Sequence, residues 1–521
     1  MIEVIKAHYK RLISNITIEP VIIFFLFGYG ILFTGLKNFE LEKACATKTD
    51  YDLEVCKYFP QLEGTNACKD KNQSSVVPEL VNYTMDQGEF SRVACSAKDE
   101  AGDALLVLNS YRNIITGVIQ AVVLLFAGSW SDRAGLRKPC IVIPIAADIV
   151  SLIALIVCAI FMREIPLEIT GILHQLISHL GGGGAMVLTG IYSYLTLVTT
   201  ESERTFRFAC THVIMTIVPI IANFFSGFIF KALGFIKLCM LCTVTHSIAL
   251  LYGLLVLKEP SKVDTVADSG VTPKEDTVQN EPPKVWKLFD LSLVTDCITV
   301  LTKKRNFNIR KLLILTLVVY FVNFGAAGDV SPSQIIAQVR FNWATNLGMW
   351  NAYDLLTTLL GTLLAIGVLG KRFGVSDHLI CVFSVCFTLV AKPIMAYAAT
   401  AGIGTLFYVA TSIDVFDGSK VVAILSIVSK LVEQNEIAKI NSIMGIISSI
   451  ESMIYPTIYS LVYFSSKEVF IGAIFMLSEA FLLISLGFYV LLYIMSRKLN
   501  GKNDNQGREG VDNYAMEATA M

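Results

Sequence analysis

The chain has 521 residues, 54% of them hydrophobic and 16% charged, with a formal net charge of −1. Soluble domains run at about 45–50% apolar and about 25% charged, so the excess here cannot all be hidden in a water-soluble core and must meet lipid. Nothing in the charge balance points to nucleic acid, and no phosphate-cradling P-loop marks an ATP-driven machine.

In chain order, residues 1–19 carry Lys6, Lys10 and Arg11 and read as a cytosolic N-terminus. The apolar run from Pro20 to Leu36 has no small-residue cleavage pattern after it, so it reads as an uncleaved span rather than a signal peptide. A helix needs roughly 20 apolar residues to cross a bilayer. Such runs fall at 20–37, 104–128, 139–161, 167–198, 208–231 and 234–257. A polar stretch at 258–310 follows, and six more runs fall at 312–332, 349–369, 377–399, 402–428, 441–463 and 468–495. The expected organisation is a first half at 20–257, a cytosolic middle loop at 258–310, a second half at 311–495 and a disordered tail at 496–521.

Loop charges set the orientation. Arg133, Arg137 and Lys138 follow the second span, Arg204 and Arg207 the fourth, Lys371 and Arg372 the eighth, Lys430 and Lys439 the tenth, and Arg497 and Lys498 the twelfth. The short loops on the opposite side hold few, among them Arg163, Arg340 and Lys467. Positive charge stays inside, which puts both termini and the middle loop in the cytosol. The loop at 38–103 is then outside. It holds Cys45, Cys56, Cys68 and Cys95 together with the glycosylation sequons at Asn72 and Asn82, an independent sign of an oxidising space. Three disulfide pairings are open. The sequon at Asn15 falls on the cytosolic side and is expected to be unmodified. Within the middle loop, Ser261 to Lys284 reads as unfolded. The cluster Lys303, Lys304, Arg305, Arg310 and Lys311 reads as a topological anchor, with anionic-lipid binding as the alternative.

The turn after the second span reads Gly128-x-x-x-Asp132-Arg133-x-Gly135-x-Arg137-Lys138. Gly135 permits a tight reversal. Asp132 can accept charge-assisted hydrogen bonds or sit at the positive end of a neighbouring helix. A weaker echo, Gly370-Lys371-Arg372-Phe373-Gly374, stands at the matching place in the second half. The turn resembles the G-x-x-x-D-R-x-G-R-R loop of the major facilitator superfamily, with Leu136 where that pattern has a basic residue. The resemblance implies an all-α membrane protein of twelve transmembrane helices in two six-helix halves. It also implies a cytosolic latch at this loop and a solute site near the midplane between the halves.

Four further stretches resemble the proton-coupled folate transporter and thymic stromal cotransporter family, solute carrier family 46. They are Trp130-Ser131-Asp132, Arg204-Thr205-Phe206-Arg207, Phe324-Gly325-Ala326 and Ser429-Lys430-Leu431-Val432. Folate-carrying members use a glutamate, a histidine and an arginine for coupling and binding, and at the matching positions stand His212, Asn323 and Leu425. These departures argue against a folate held in the same way.

An ionisable side chain at mid-bilayer costs about 2.5–3.5 kcal/mol or more unless it meets water or a partner, and is functional by default. Asp414, Asp417 and Lys420 fall in the tenth span at steps of three. Lys420 is expected to reach back to Asp417, leaving Asp414 for a proton or the solute. The alternative is a locally broken helix whose charges reach water at the inner face. Glu451 lies deep in the eleventh span, just before Tyr455-Pro456, and Asp148 deep in the third. His212 is either a titrating group or a satisfied core histidine. Asp329, Asp354, Arg112 and Lys392 lie towards outer ends and are expected to reach the interface. His174 and His179 are five apart, on different helix faces, so no metal site is expected. Gly181 to Gly184 is either a close-packing stripe or a flexible gate.

The expectation is therefore a secondary transporter, not an enzyme, moving a small organic anion by alternating access, without a cofactor and with proton coupling. Its partners are the solute and the bilayer, and its place is the plasma membrane or an endolysosomal membrane. Asp414, Asp417, Lys420, Glu451, His212, Asn323 and Asp148 form the candidate binding and coupling set. An uncoupled facilitator and a non-transporting sensor or scaffold are the rival readings.

Overall fold

The computed structural model describes residues 17–63, 68, 87–134, 136–199, 201–259, 302–303, 307–432 and 437–519. Every regular element among the described residues is helical. Lipid offers no partner to a backbone N–H or C=O, and a helix satisfies both within one segment.

Helix α1 spans Glu19–Lys48 and opens with proline in its first turn, where the missing N–H costs nothing. The short α2 covers Leu53–Lys57, with the Asp52 carboxylate accepting from the Leu53 N–H. Then come α3 (Gln87–Ala134), α4 (Pro139–Ile160), α5 (Leu167–Leu180), α6 (Gly183–Val198) and α7 (Glu201–Leu255). After the middle loop follow α8 (Phe307–Gly325), α9 (Val330–Arg340) and α10 (Asn346–Leu363), which continues as a π-helical stretch over Leu364–Arg372. The chain ends with α11 (Asp377–Ala401), α12 (Thr405–Ile413), α13 (Asp417–Leu431), α14 (Ile437–Ser466) and α15 (Ala473–Thr519).

Among the described residues seven segments are long and apolar enough to cross a membrane: Glu19–Lys48, Pro139–Ile160, Cys210–Leu255, Ile309–Arg340, Asn346–Arg372, Asp377–Ala401 and Ala473–Lys498. The third of these holds two of the predicted spans, because α7 turns sharply at Gly234 with φ 71° and ψ 172°. Only glycine takes that conformation readily. The predicted fourth span is two helices, α5 and α6, parted at Gly182 with φ 98°. The predicted tenth span is likewise broken into α12 and α13 by a 3-10 turn over Asp414–Phe416.

The chain forms two compact units. The first comprises the described parts of residues 1–291 with Ser331–Leu356 and Ser452–Phe464. In it α1 runs along α7, and α4 packs on α7 as well. Glycines permit the close approach: a Cβ at Gly30 would lie 2.5 Å from that of Ala222. One apolar core joins Ile22 and Phe25 to Ile141, Ile145, Val187 and Leu195.

The segment from Cys45 to Lys98 in this unit is pinned by disulfides Cys45–Cys56 and Cys68–Cys95, which selects one of the three open pairings. It also holds the turn before α10. Glu63 Oε1 accepts the N–H groups of Thr345 and Asn346, each at 2.9 Å, and Lys98 Nζ donates to Asn342 Oδ1 at 3.2 Å.

The second unit comprises the described parts of residues 292–330 with Thr357–Glu451 and the described residues from Ser465 onward. Here α11 is central, packing against α13 and α15. Val319, Val385, Ile424, Val428, Tyr489 and Leu492 are among its core.

Candidate solute and coupling site

In the second unit α11 places Thr388 and Lys392 one turn apart, facing the break at Asp414–Phe416. Thr388 Oγ1 donates to Asp414 Oδ1 at 2.6 Å and lies 3.4 Å from Asp417 Oδ1. Lys420 pairs with Asp417, as the spacing predicts. Lys392 Nζ pairs with Asp329 Oδ2 at 2.7 Å, in the turn between α8 and α9, and both side chains are buried. Asp414 and Asp417 lie within electrostatic reach of Lys392, and so does Glu479 of α15.

The break is packed from two sides. Ser384 of α11 and Ser419 of α13 both donate to the Phe416 carbonyl at 2.7 Å, tying the break to α11. The Phe416 ring meets Phe383 and Phe387 edge-on, each at 4.9 Å between centroids. On α10, Gly361 lies directly against the Val415 carbonyl.

Three carboxylates, Asp329, Asp414 and Asp417, thus share two lysines, Lys392 and Lys420. Asp329 and Asp417 have ion pairs, whereas the hydrogen bond that Asp414 receives comes from a neutral hydroxyl. Elsewhere in this unit Glu451 is buried with no hydrogen-bond partner on either carboxylate oxygen. It faces Tyr320 of α8, whose hydroxyl bonds Ser448. Asn323, one turn after Tyr320, is buried with its Oδ1 unpartnered.

The first unit holds the other candidates. Asp148 of α4 receives a hydrogen bond from Ser178 of α5, with Tyr29 nearby. His212 is exposed on α7, and its carbonyl accepts from Thr216 at 2.9 Å. The charged centre of this unit is one that sequence reasoning missed. Arg112 of α3 pairs with Glu40 of α1 and donates to Asn109, with Lys37 and His174 close by. His174 bonds Ser151, while His179 Nδ1 lies 2.6 Å from the Gln175 carbonyl. Arg112, Asp329 and Lys392 were expected to reach the interface. They are instead buried in ion pairs, because an oppositely charged group on a neighbouring helix is nearer than water. Opposite charges embedded in two different apolar runs are the signal that could have flagged them.

Of the gate-loop residues, Gly128 lies in α3, whereas Gly135 and the side chains of Asp132 and Arg133 lie outside the described residues, as do Asn72 and Asn82. Arg137 and Lys138 donate their backbone N–H groups to Glu259, and Lys138 Nζ reaches the Leu254 carbonyl at 2.6 Å. Among the described residues no group of three or more His, Cys, Asp or Glu is placed to hold a metal ion.

Long apolar helices that enclose buried ion pairs mark an integral membrane protein. Residues 111–456 match the Major Facilitator Superfamily, and the chain belongs to it. It is a transporter, not an enzyme.

The chain is 24% identical over 405 residues to solute carrier family 46 member 2 of Canis lupus familiaris, covering 70% of this chain and 76% of that one. It is 21% identical over 457 residues to a probable peptidoglycan muropeptide transporter, SLC46, of Drosophila melanogaster, covering 86% and 79%. Both similarities bear out the solute carrier family 46 resemblance. Among solved structures, the peptide transporter POT in complex with sulfate shares the fold with a TM-score of 0.57 at 12% identity, over 91% of this chain and 94% of that one. The human organic anion transporter MFSD10 (TETRAN) does so with a TM-score of 0.53 at 11% identity, over 91% and 98%.

Proposed function

We propose that the protein is a twelve-span, proton-coupled secondary transporter of a small organic anion. It works by alternating access between two six-helix halves, in the plasma membrane or an endolysosomal membrane. The observation that carries the reading is the unequal treatment of the tenth-span acids. Asp417 is neutralised by Lys420, whereas Asp414 is held by the Thr388 hydroxyl. Asp414 can therefore bind and release a proton without an ion pair being broken. Lys392 and Lys420 are the cations that a solute carboxylate can recruit from their present acids, and recruiting one would leave an acid to be protonated. Glu451 and Asn323, with unpartnered buried oxygens, Asp148 and the exposed His212 are secondary candidates for the same roles.

The Drosophila relative is named a probable muropeptide transporter, so muropeptides head the panel of solutes, with simple organic anions beside them. The test is uptake into vesicles at an outside pH of about 5.5 and about 7.5, which brackets the range where coupling groups act. Acid-stimulated uptake is the expected result. Equal uptake at both values would make the protein an uncoupled facilitator, and no uptake across the panel would favour a sensor or scaffold.

A further inference from the structure

A cavity of about 680 Å³ lies in the second unit, away from the charged centre. Its walls come from the start of α8, the π-helical stretch after α10, the start of α11, the end of α13 and Ser496 of α15. The loop charges assign all of these ends to the cytosolic face. The inner wall is aliphatic, with Leu312, Ile366, Ile380 and Ile427. The rim is polar, with the cations Lys371 and Lys430 beside the imidazole of His378.

Three observations say what fits. First, the acid at the rim is already engaged: Asp377 pairs with Lys430 at 2.7 Å and accepts from Ser426 at 2.7 Å. Second, a cation and a ring nitrogen are left over. Lys371 is exposed and, among the described residues, has no acidic partner, while His378 Nε2 is buried without a hydrogen bond. Third, cations cluster beside the lining in sequence: Arg310 and Lys311 follow Ile309, Arg372 follows Lys371, and Arg497 and Lys498 follow Ser496. A soluble anion would use the rim and have no use for the aliphatic wall. A lipid uses both, and Leu364, Val368 and Leu379 on the same two elements are exposed and extend the apolar surface outward.

We propose that this cavity binds an anionic phospholipid of the inner leaflet. Lys371 and His378 hold its phosphate, and the aliphatic wall receives the upper part of its acyl chains. This inference does not depend on the solute or on proton coupling.

The test is lipid retention by the purified full chain. The protein is exposed to vesicles of phosphatidylcholine with or without phosphatidylserine, re-extracted, and its bound lipid read by native mass spectrometry. Phosphatidylserine is expected to be retained over phosphatidylcholine. Lys371→Gln should cut that preference about five-fold, the worth of one basic residue at an anionic surface. His378→Phe should cut it further, and Lys371→Arg should keep it. Lys467→Gln, on the opposite side, should change nothing. Melting temperature and elution volume exclude misfolding as the cause of a loss.

Equal retention of the two lipids by wild type overturns the proposal. So does an undiminished preference in both Lys371→Gln and His378→Phe. Displacement of the lipid by inorganic phosphate alone would mark a soluble-anion site and overturn it as well. Lipid retention that appears only in a variant lacking Ser261–Lys284 would mean that the chain fills its own cavity, and that too is fatal.

Discussion

Gly361 is the sharpest handle on the break in the tenth span. The helix carrying it lies so close to Val415 that a Cβ built there would stand 2.5 Å from the Val415 carbonyl carbon and nearer still to its oxygen. Ordinary contact begins near 3.4 Å, so Gly361→Ala must part the two backbones by well over 1 Å. Backbone cannot rotate away as a side chain can. The added methyl therefore displaces the turn that presents Asp414 and Asp417, or costs on the order of 1–3 kcal/mol of overpacking. An ångström of misplacement at a working site is worth up to roughly 100-fold in rate. The expected result is uptake reduced by about ten-fold or more at normal surface expression. The assay is initial-rate uptake normalised to biotinylated protein. Gly367→Ala is the control, since nothing lies within 4 Å of a Cβ there. Wild-type uptake by Gly361→Ala would refute the claim that this contact sets the geometry of the acids.

Asp414→Asn should abolish acid stimulation of uptake while surface expression stays normal, and retained stimulation would remove Asp414 from the coupling step. Asp329→Asn leaves Lys392 buried without its partner and should cost about 3–5 kcal/mol. Asp329→Asn with Lys392→Met should recover much of that, so equal melting losses in single and double variants would argue against a buried pair. Near the start of α3, burial pushes the Lys98 ammonium down to about 7, with Glu63 and Asp99 opposing. In the unfolded chain this lysine keeps its proton up to about 10.4. Above pH 7 the unfolded state therefore holds the extra proton and stability rises with pH, whereas below 7 the burial penalty is felt in full. Between pH 7 and about pH 9 the wild type should gain about 2 kcal/mol relative to Lys98→Met, and parallel melting curves would exclude the effect.

How far the sequence could be read depended on whether the cause was local. Apolar runs mark helices because the bilayer demands them, and a helix lies over every predicted span. The Asp417–Lys420 pair followed from a spacing of three within one helix. The tenth span is interrupted at Asp414–Phe416, and the pairing stands beside the interruption. At Gly181 to Gly184 packing and bending could not be told apart, since both want glycine. Gly182, at φ 98°, shows a break.

The Asp329–Lys392 and Glu40–Arg112 pairs were illegible for a different reason. Each joins residues of different elements, and one sequence does not say which elements are neighbours. Thr388 was hidden more deeply. A threonine in an apolar run commonly bonds its own helix. Thr388 does so, 3.3 Å from the Ser384 carbonyl, while also donating to Asp414. The cysteine pairing was a matter of combinatorics, and only coordinates choose.

The Cys68–Cys95 bridge spans a stretch that contains Lys69 and Lys71. Trypsin cutting after either lysine would sever the polypeptide yet not release a fragment. The nicked molecule would migrate as one band on a denaturing gel, and addition of thiol would resolve it into a short N-terminal piece and a long remainder.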